Sequence, residues 1–217
     1  GSTLVMYGSA RIPSPDQVAA LQETVDSPER QKVVDRLIEK SKYYEESRKL
    51  AQKASSCSVV EKGMRQFVVC SGGGPSIMEA ANRGAWDVGA ESVGLNIVLP
   101  HEQAPNAFVT PGLSFQFHYF ALRKMHFLMR ARAVAVFPGG FGTFDEFFEL
   151  LTLVQTGKMK PVPILLFGKD FWNRVINFDA LVEEGVISPD DIKLFRWCET
   201  ADEAWKHIID FYELNCG

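Results

Sequence analysis

Three short glycine-rich segments constrain this chain most, because each one directly follows an apolar run. In chain order the junctions are Leu4–Tyr7 with Gly8-Ser9-Ala10-Arg11, Gln66–Cys70 with Ser71–Ser76, and Ala133–Phe137 with Pro138–Thr143. Each junction is typical of a strand that turns tightly into a helix. In a parallel sheet all three turns would lie at the carboxyl edge, where ligands of open α/β folds bind.

The rest of the chain continues the alternation of apolar runs and helical patterns, which predicts an α/β fold with a doubly wound parallel sheet. Further predicted strands are Ser92–Leu99, Val162–Phe167 and the weaker candidate Leu113–Phe117. Predicted helices are Ser76–Val88, Tyr119–Ala131, Phe144–Thr156, Phe171–Glu183 and Ala201–Leu214. Pro163 lies inside an apolar run, so we expect that strand to be at an edge or to carry a bulge.

The length of 217 residues fits one doubly wound domain, and we interpret residues 1–217 as a single domain. The segment Asp16–Val60 is long and charge-rich for one crossover. It is expected to form two helices that are broken near Asp26-Ser27-Pro28. Because no linker-like composition flanks it, we interpret residues 16–60 as an elaborated helical crossover and not as a second domain.

Composition excludes several classes of partner. The net charge is −4, with 23 basic against 27 acidic residues and no basic block, so a nucleic-acid polymer is not an expected partner. No apolar run approaches 18 residues, so no membrane span is expected. The four cysteines are scattered without a CxxC pair, which indicates a reduced, cytoplasmic protein and not a disulfide framework. The four histidines lack zinc-ligand spacing, so no metal site is expected.

The glycine loops indicate an anion site. Glycines let backbone N–H groups approach an anion closely, and the N-terminus of the following helix adds partial positive charge. A single such loop is equally compatible with a plain tight turn, but three that converge on one edge favour a phosphate. Neither the first nor the third loop has the GK[ST] ending of a triphosphate site or a complete GxGxxG fingerprint. A monophosphate bound without metal is the simpler inference.

Two charged residues near the third loop each have two explanations. Glu146 follows Thr143 by three positions, which fits a capping box as well as a carboxylate beside a ligand. Arg123 lies on the predicted helix that precedes the third strand, where it is either a solvated helix charge or a ligand contact.

The segment Pro138–Glu146 resembles the PGGxGTxxE signature of the LOG family. This family comprises the cytokinin-riboside-monophosphate phosphoribohydrolases and related nucleotide nucleosidases, formerly described as lysine decarboxylases. The resemblance extends over nearly the whole chain, through Gly8–Arg11, Gly72–Gly74, Met78–Asn82, Arg123–Lys124 and Leu151–Lys158.

This resemblance implies a Rossmann-like fold and hydrolysis of the N-glycosidic bond of a nucleoside 5′-monophosphate, of AMP or cytokinin riboside monophosphate type, to free base and ribose 5-phosphate. The family's catalytic arginine and glutamate correspond to Arg123 and Glu146. We expect the phosphate at Gly139, Gly140, Gly142, Thr143, Gly8 and Ser9. The rest of the nucleotide is expected at Gly73, Gly74 and Lys124, with no metal and no cofactor.

The match has departures, which bear on substrate choice. Ser76 occupies a position where a glycine is expected, and Tyr119–Lys124 replaces the usual Met-His-x-Arg-Lys run. A nucleotide-binding or sensing protein with little or no turnover is the alternative, because a phosphate cradle alone serves both functions. Decarboxylation is disfavoured, since no motif marks a Schiff-base lysine, and we do not expect pyridoxal phosphate to bind as an aldimine.

A homodimer or higher homo-oligomer is also implied by the resemblance. The predicted helix after Thr143 supports it, because its apolar residues occupy more than one face and must be buried on several sides. These residues are Phe144, Phe147, Phe148, Leu150, Leu151, Leu153 and Val154. The sequence therefore predicts that this helix lies near the subunit interface.

Overall fold

The computed structural model describes residues 1–57, 59–101 and 104–216. The strands are β1 (Thr3–Tyr7), β2 (Val60–Glu61), β3 (Met64–Arg65), β4 (Val68–Ser71), β5 (Ser92–Ile97), β6 (Ser114–Phe117), β7 (Ala131–Val136), β8 (Ile164–Phe167) and β9 (Arg196–Cys198). The helices are α1 (Val18–Gln22), α2 (Pro28–Glu39), α3 (Ser41–Ser56), α4 (Ile77–Asp87), α5 (Phe120–Met129), α6 (Phe141–Gln155), α7 (Lys169–Val175), α8 (Phe178–Glu183) and α9 (Ala201–Tyr212).

Seven of these strands form one parallel sheet in the order β6-β5-β4-β1-β7-β8-β9, while β2 and β3 pair as a separate antiparallel hairpin. The chain builds outward from β1 through β4, β5 and β6, and then returns to β7 on the other side of β1. This reversal makes the carboxyl ends of β1 and β7 the topological switch point, where open α/β sheets bind ligands. The predicted doubly wound α/β, Rossmann-like fold is confirmed.

Each face of the sheet is covered by helices, because alternate strand residues point to opposite sides. Leu4 and Met6 of β1 pack on one side in a cluster that includes residues of α3, α4 and α9. Val5 and Tyr7 pack on the other side with residues of α5, α6, α7 and α8. The second cluster is rich in aromatic rings, and it places Tyr7 on the same side of the sheet as α5 and α6.

The crossover between β1 and β4 is more divided than predicted. The break before Pro28 is confirmed, since Ser27 caps α2 by accepting a hydrogen bond from the Arg30 amide over 3.1 Å. A second break falls at Lys40, so the segment holds three helices and not two. The predicted helix Phe171–Glu183 is likewise divided, because Asn177 caps a new helix through the Ala180 amide.

The expectation for Pro163 was wrong, because β8 is an interior strand between β7 and β9. Pro163 stands just before β8, and its carbonyl accepts a hydrogen bond from the Val134 amide over 3.0 Å. Proline is tolerated there because only its carbonyl is needed. The sequence patterns also missed β9, which is three residues long, and the β2–β3 hairpin.

The expectation that all four cysteines are reduced was also wrong. Cys57, just after α3, is bonded to Cys216 near the C-terminus, with Cα atoms 5.3 Å apart. The two are 159 positions apart, so spacing along the sequence gave no sign of the pairing. Cys70 and Cys198 are buried free thiols. Within the described residues, no helix combines the length and apolar character that crossing a membrane requires.

Candidate active site

The third glycine loop forms the first turn of α6. The helix begins at Phe141 with Gly140 as its N-cap, and the Phe144 amide donates to the Gly140 carbonyl over 3.0 Å. Thr143 is therefore the third residue of the helix and not its cap, so the capping-box explanation of Thr143 and Glu146 is wrong. The amides that precede Phe144 have no partner within the helix, and the helix dipole adds positive character where they lie.

The first loop is joined to the third one. The Ser9 amide donates to the Pro138 carbonyl over 3.0 Å, and the Arg11 amide donates to Ser9 Oγ over 2.9 Å. A Cβ on Gly139 would overlap the Thr143 side chain and lie 3.1 Å from the Ser9 nitrogen. Because the Ser9 backbone amide already donates to Pro138, the Ser9 side-chain hydroxyl is the donor of this residue that remains available to a phosphate.

The second loop is held by asparagines that the sequence patterns did not single out. Gly73 has φ +73°, and a Cβ on it would lie within 3 Å of the Asn96 carboxamide. The backbone amide of Asn106 donates to the Gly73 carbonyl over 2.8 Å, and its side-chain Nδ2 donates to the Gly74 carbonyl over 3.0 Å. Asn106 Nδ2 also bonds the buried Asn82 side chain. Asn96 lies inside β5, and a carboxamide within an otherwise apolar strand is the signal that could have identified it.

Ser76 closes the second loop in a conformation that favours glycine. Its φ of +64° lies in the region that side chains rarely adopt. The Ser76 hydroxyl donates to the Ile12 carbonyl over 2.5 Å, so the side chain gains a hydrogen bond in return for this strain. Ser76, which stands where the family has glycine, therefore joins the second glycine loop to Ile12, just after the first glycine loop.

Glu146 is buried without a hydrogen-bond partner. It is 4% exposed, and neither carboxylate oxygen has a partner among the described residues. Burial raises the pKa of Glu146 to about 7, although the positive charges of Arg123 and Lys124 oppose this rise. A carboxyl group with this pKa changes its protonation state near neutral pH, as a general base requires.

Arg123 lies on α5, close enough to Glu146 for each charge to shift the pKa of the other group. Its guanidinium carbon is 5.3 Å from the centre of the Phe120 ring and 5.5 Å from that of Phe127. Burial lowers the pKa of Arg123, while the Glu146 charge raises it. Arg123 Nε also has no partner within the described chain. The structure thus brings together the two residues that the sequence singled out, and the solvated-charge explanation of Arg123 does not hold.

Lys124 forms ion pairs with two partly exposed carboxylates of α6. Its Nζ lies 2.5 Å from Asp145 Oδ1 and 2.8 Å from Glu149 Oε2. Burial lowers the pKa of Lys124, but the hydrogen bonds that its ammonium group donates to Asp145 and Glu149 outweigh that effect and raise the pKa. Lys124 therefore fastens α5 to α6, and its ammonium group is already paired.

Sequence models of known families match this chain in one region. The family described as "Possible lysine decarboxylase" matches residues 78–208, which is more than half of the chain. The match begins in α4 and includes Arg123, the third glycine loop and Glu146.

Two curated relatives in Arabidopsis thaliana carry the name cytokinin riboside 5′-monophosphate phosphoribohydrolase. LOG3 is 27% identical over 148 residues, which is 66% of this chain and 67% of the relative. LOG1 is 35% identical over 91 residues, which is 41% of this chain and 42% of the relative.

Solved structures share the fold at low identity. The structural-genomics target TM1055 covers 97% of this chain and 99% of its own, with a TM-score of 0.60 and 19% identity. The molybdenum cofactor carrier protein of Chlamydomonas reinhardtii covers 99% of this chain and 100% of its own, with a TM-score of 0.54 and 12% identity. These two likenesses concern the fold alone. The family match over residues 78–208, together with the named relatives, shows that the chain belongs to the LOG family, which is also described as possible lysine decarboxylases.

Proposed function

We propose that this protein hydrolyses the N-glycosidic bond of nucleoside 5′-monophosphates and releases the free base and ribose 5-phosphate. One observation carries the proposal: the buried Glu146 carboxylate, which has no partner within the described residues, beside Arg123 and the N-terminus of α6. A carboxylate left unpaired in a protein interior is costly, and such groups concentrate where they act on a ligand.

The phosphate is proposed to bind the first turn of α6. The amides of Gly142 and Thr143 and the hydroxyls of Thr143 and Ser9 supply donors there, and the helix N-terminus supplies positive potential. Glu146 follows Thr143 by three residues on the same face, about 4.5 Å deeper along the helix axis. A nucleotide whose phosphate occupies the first turn would thus present its ribose to Glu146.

Hydrolysis then proceeds by loss of the base from an oxocarbenium-like sugar. The C1′–N bond breaks and its electron pair leaves with the base, which takes up a proton. Ionised Glu146 stabilises the positive charge on the ribose and accepts the proton of the water whose oxygen adds to C1′. Arg123 opposes the burial effect on Glu146, and so keeps more of this carboxyl ionised at neutral pH.

The base is proposed to be a purine of the AMP or cytokinin type, as the names of the relatives suggest. Phe120 is half-exposed beside Arg123 and offers a ring face to a base. The run Tyr119–Lys124 departs here from the usual family pattern. We therefore expect this protein to rank the bases differently from relatives that keep the usual run.

Lysine decarboxylation is not proposed. A Schiff-base lysine must be partly neutral and free to attack an aldehyde. Lys124, which neighbours Arg123, is held in its charged form by Asp145 and Glu149.

The decisive experiment measures base release from a panel of nucleoside monophosphates, beginning with AMP, together with AMP binding by calorimetry. Glu146→Gln should lower kcat by about 100-fold or more, the loss of about 3 kcal/mol expected for one electrostatic group, while AMP binding survives. Arg123→Ala should lower kcat similarly and weaken binding as well. Glu149→Gln is the matched control, since it lies one turn further along α6 and pairs with Lys124.

Binding without base release in the wild type would favour the sensing alternative, in which the cradle holds a nucleotide without turnover. Near-normal turnover in Glu146→Gln would remove Glu146 from the mechanism.

We also propose that the protein forms a homodimer, but through α5 and not α6. Most apolar residues of α6 pack within this chain against rings such as Trp172 and Phe195, and only Phe141, its first residue, is almost fully exposed among those described. Among the exposed apolar side chains, six lie close together in sequence, on β6, just before α5 and on α5: Phe115, Tyr119, Phe120, Leu122, Met125 and Met129. A large exposed apolar patch is rare on monomers, and this one fits a second copy of the same face.

Light scattering at micromolar concentration tests this assignment, with a dimer expected for the wild type. Leu122→Glu or Met125→Glu, at positions that are 48% and 55% exposed, should give a folded monomer. Val33→Glu on α2 is the control, because Val33 is 50% exposed outside the patch. A monomeric wild type contradicts the assignment.

A further inference from the structure

We propose that Met78 contacts the nucleobase and determines which bases fit, as the adjustable wall of the base subsite. The inference rests on the proposed function and deepens it by assigning a specificity-determining residue. Met78 is the second residue of α4, directly after the second glycine loop, and its side chain is only partly buried. It therefore lies at the carboxyl edge of the sheet, beside the loops to which the phosphate is assigned.

Met78 and Arg123 approach the same glycine of the second loop. A Cβ on Gly72 would lie 2.8 Å from Met78 Sδ and 4.0 Å from Arg123 Nη1. A Cβ on Gly74 would lie 2.8 Å from Met78 Cε. The thioether thus lies along the loop, and its sulfur is close to the guanidinium that the proposed mechanism places beside Glu146.

This approach joins side chains from the two faces of the sheet. Helix α4 packs on the face that carries Leu4, where Ile77 belongs to the buried cluster. Helix α5 packs on the other face, where Phe127 belongs to the aromatic cluster. Because the sheet separates the two helices, their side chains can meet only beyond the strand ends. Met78 and Arg123 therefore border the space above the carboxyl edge from opposite sides.

Two glycines of the second loop leave room for this side chain. Only Gly73 in the loop has a positive φ, and neither Gly72 nor Gly74 does. Their backbone conformation therefore does not require glycine. What a side chain at either position would displace is Met78. The bare backbone of the loop thus lets the thioether lie close against it.

The position of Met78 along the sheet edge fits the base and not the phosphate. Strands β7 and β4 are the two neighbours of β1, so their carboxyl ends lie roughly 10 Å apart, which is two strand spacings. The phosphate is assigned to the loops after β7 and β1, whereas Met78 follows the loop after β4. In an extended nucleoside monophosphate the base lies about this far from the phosphorus. A nucleotide whose ribose is beside Glu146 would therefore bring its base to Met78.

Methionine is a suitable side chain for such a wall. Its unbranched chain has three rotatable bonds, and its polarisable sulfur makes favourable contacts with aromatic rings. The loop beneath it is fixed, since Asn106 donates hydrogen bonds to the carbonyls of Gly73 and Gly74. Met78 is therefore the part of this wall that can adapt, and flexible methionines allow one site to accept ligands of different shape.

Calorimetry with AMP and with ribose 5-phosphate, which lacks the base, tests the assignment. In Met78→Ala the affinity for AMP should fall about ten-fold, because apolar contact with the base is lost, while the affinity for ribose 5-phosphate is unchanged. Met78→Leu keeps most of the apolar volume and should lose less than Met78→Ala. Met64→Ala is the matched control, because Met64 is 50% exposed on β3, which precedes the amino end of β4.

The choice between bases supplies a second readout. We compare AMP with an AMP analogue that carries a benzyl group on the exocyclic amine of the base. In Met78→Ala the ratio of kcat/KM for the analogue to kcat/KM for AMP should rise about ten-fold, because the shorter side chain makes room for the larger base. If Met78 only supported Arg123, its loss would slow both nucleotides equally and leave this ratio unchanged.

A measurement that needs no turnover separates this inference from the proposed function. The six methionines can be labelled with carbon-13 at their methyl groups, and the Met78 signal is assigned by its loss in Met78→Leu. The ring current of a bound base should shift this signal when AMP is added, and ribose 5-phosphate should leave it in place. A shift with AMP in a protein that releases no base supports the role of Met78 and overturns the hydrolase. A Met78 signal that AMP does not move, or an equal loss of affinity for AMP and ribose 5-phosphate in Met78→Ala, overturns the role of Met78 even in an active enzyme.

Discussion

The Ser9 amide donates a hydrogen bond to the Pro138 carbonyl over 3.0 Å, and this contact makes one unit of the first and third glycine loops. The contact spans the carboxyl ends of β1 and β7, which are neighbours in the sheet. A phosphate bound at the N-terminus of α6 would therefore be flanked by a loop that is already in place. Preorganised donors of this kind bind a ligand without the entropic cost of ordering them.

Gly139→Ala should break this unit. Its Cβ would overlap the Thr143 side chain and crowd the Ser9 amide, so the loops must separate. We expect a loss of about 1–3 kcal/mol in the free energy of unfolding and at least ten-fold weaker AMP binding, as measured by denaturation and calorimetry. Gly142→Ala is the control, because a Cβ there meets open space inside a helix and should stabilise the fold by about 0.5–1 kcal/mol. A Gly139→Ala protein with normal stability would contradict the geometry of the loop.

Ser76 offers a comparison between strain and hydrogen bonding. Ser76→Ala keeps a side chain at φ +64° but loses the hydrogen bond to the Ile12 carbonyl, so it should cost about 1–2 kcal/mol of unfolding free energy. Ser76→Gly loses the same bond but relieves the backbone strain, so it should cost less than the alanine variant. Urea denaturation of both variants gives the order. Alanine more stable than glycine at this position would show that the positive φ is not strained.

The disulfide should contribute measurably to stability. Cys57→Ser opens the bond to Cys216, which closes most of the chain into one loop. We expect a loss of about 2–5 kcal/mol in the free energy of unfolding. Dithiothreitol should destabilise the wild type to the same level and have no effect on the variant. Equal stability of the wild type with and without reductant would mean that the bond contributes nothing.

The sequence predicted the sheet and its glycine loops well, because hydrophobic periodicity and turn-forming residues depend on neighbours along the sequence. Glu146 and Arg123 emerged only through family resemblance, since spacing alone fits a capping box and a surface charge equally well. What decided between the explanations was where α6 begins, and the boundary of a helix depends on the loop that packs beside it. The Cys57–Cys216 bond and the Asn106 contacts join residues far apart in sequence, which periodicity does not report.

The apolar character of α6 shows a different limit. A helix that is apolar on several faces must be buried, but the pattern does not tell whether the cover comes from its own chain or from a partner. Here α7, α8 and the segment around Phe195 supply the cover. The predicted helix Tyr119–Ala131 gives no comparable signal, because its apolar residues are mixed with Arg123, Lys124 and His126.

The pH dependence of stability tests the burial of Glu146 without any assay of activity. Burial raises its pKa from the ordinary 4.5 to about 7 in the folded protein. Below pH 4.5 the carboxyl is protonated in both the folded and the unfolded chain, so no stability is lost there. Between pH 4.5 and 7 the unfolded chain releases this proton more readily, and the wild type should lose up to about 3 kcal/mol in unfolding free energy.

Glu146→Gln removes this titration, so its melting temperature relative to the wild type should rise from pH 5 to pH 8 and then level off. The two proteins are compared by calorimetry in buffers of matched ionic strength, because salt screens the surface ion pairs that also respond to pH. A carboxylate engaged in a capping box would act in the opposite sense, since hydrogen bonds to its ionised form lower its folded pKa and make the wild type gain on the variant as pH rises. A constant difference across this range, or one that favours the wild type at pH 8, would return Glu146 to a structural role.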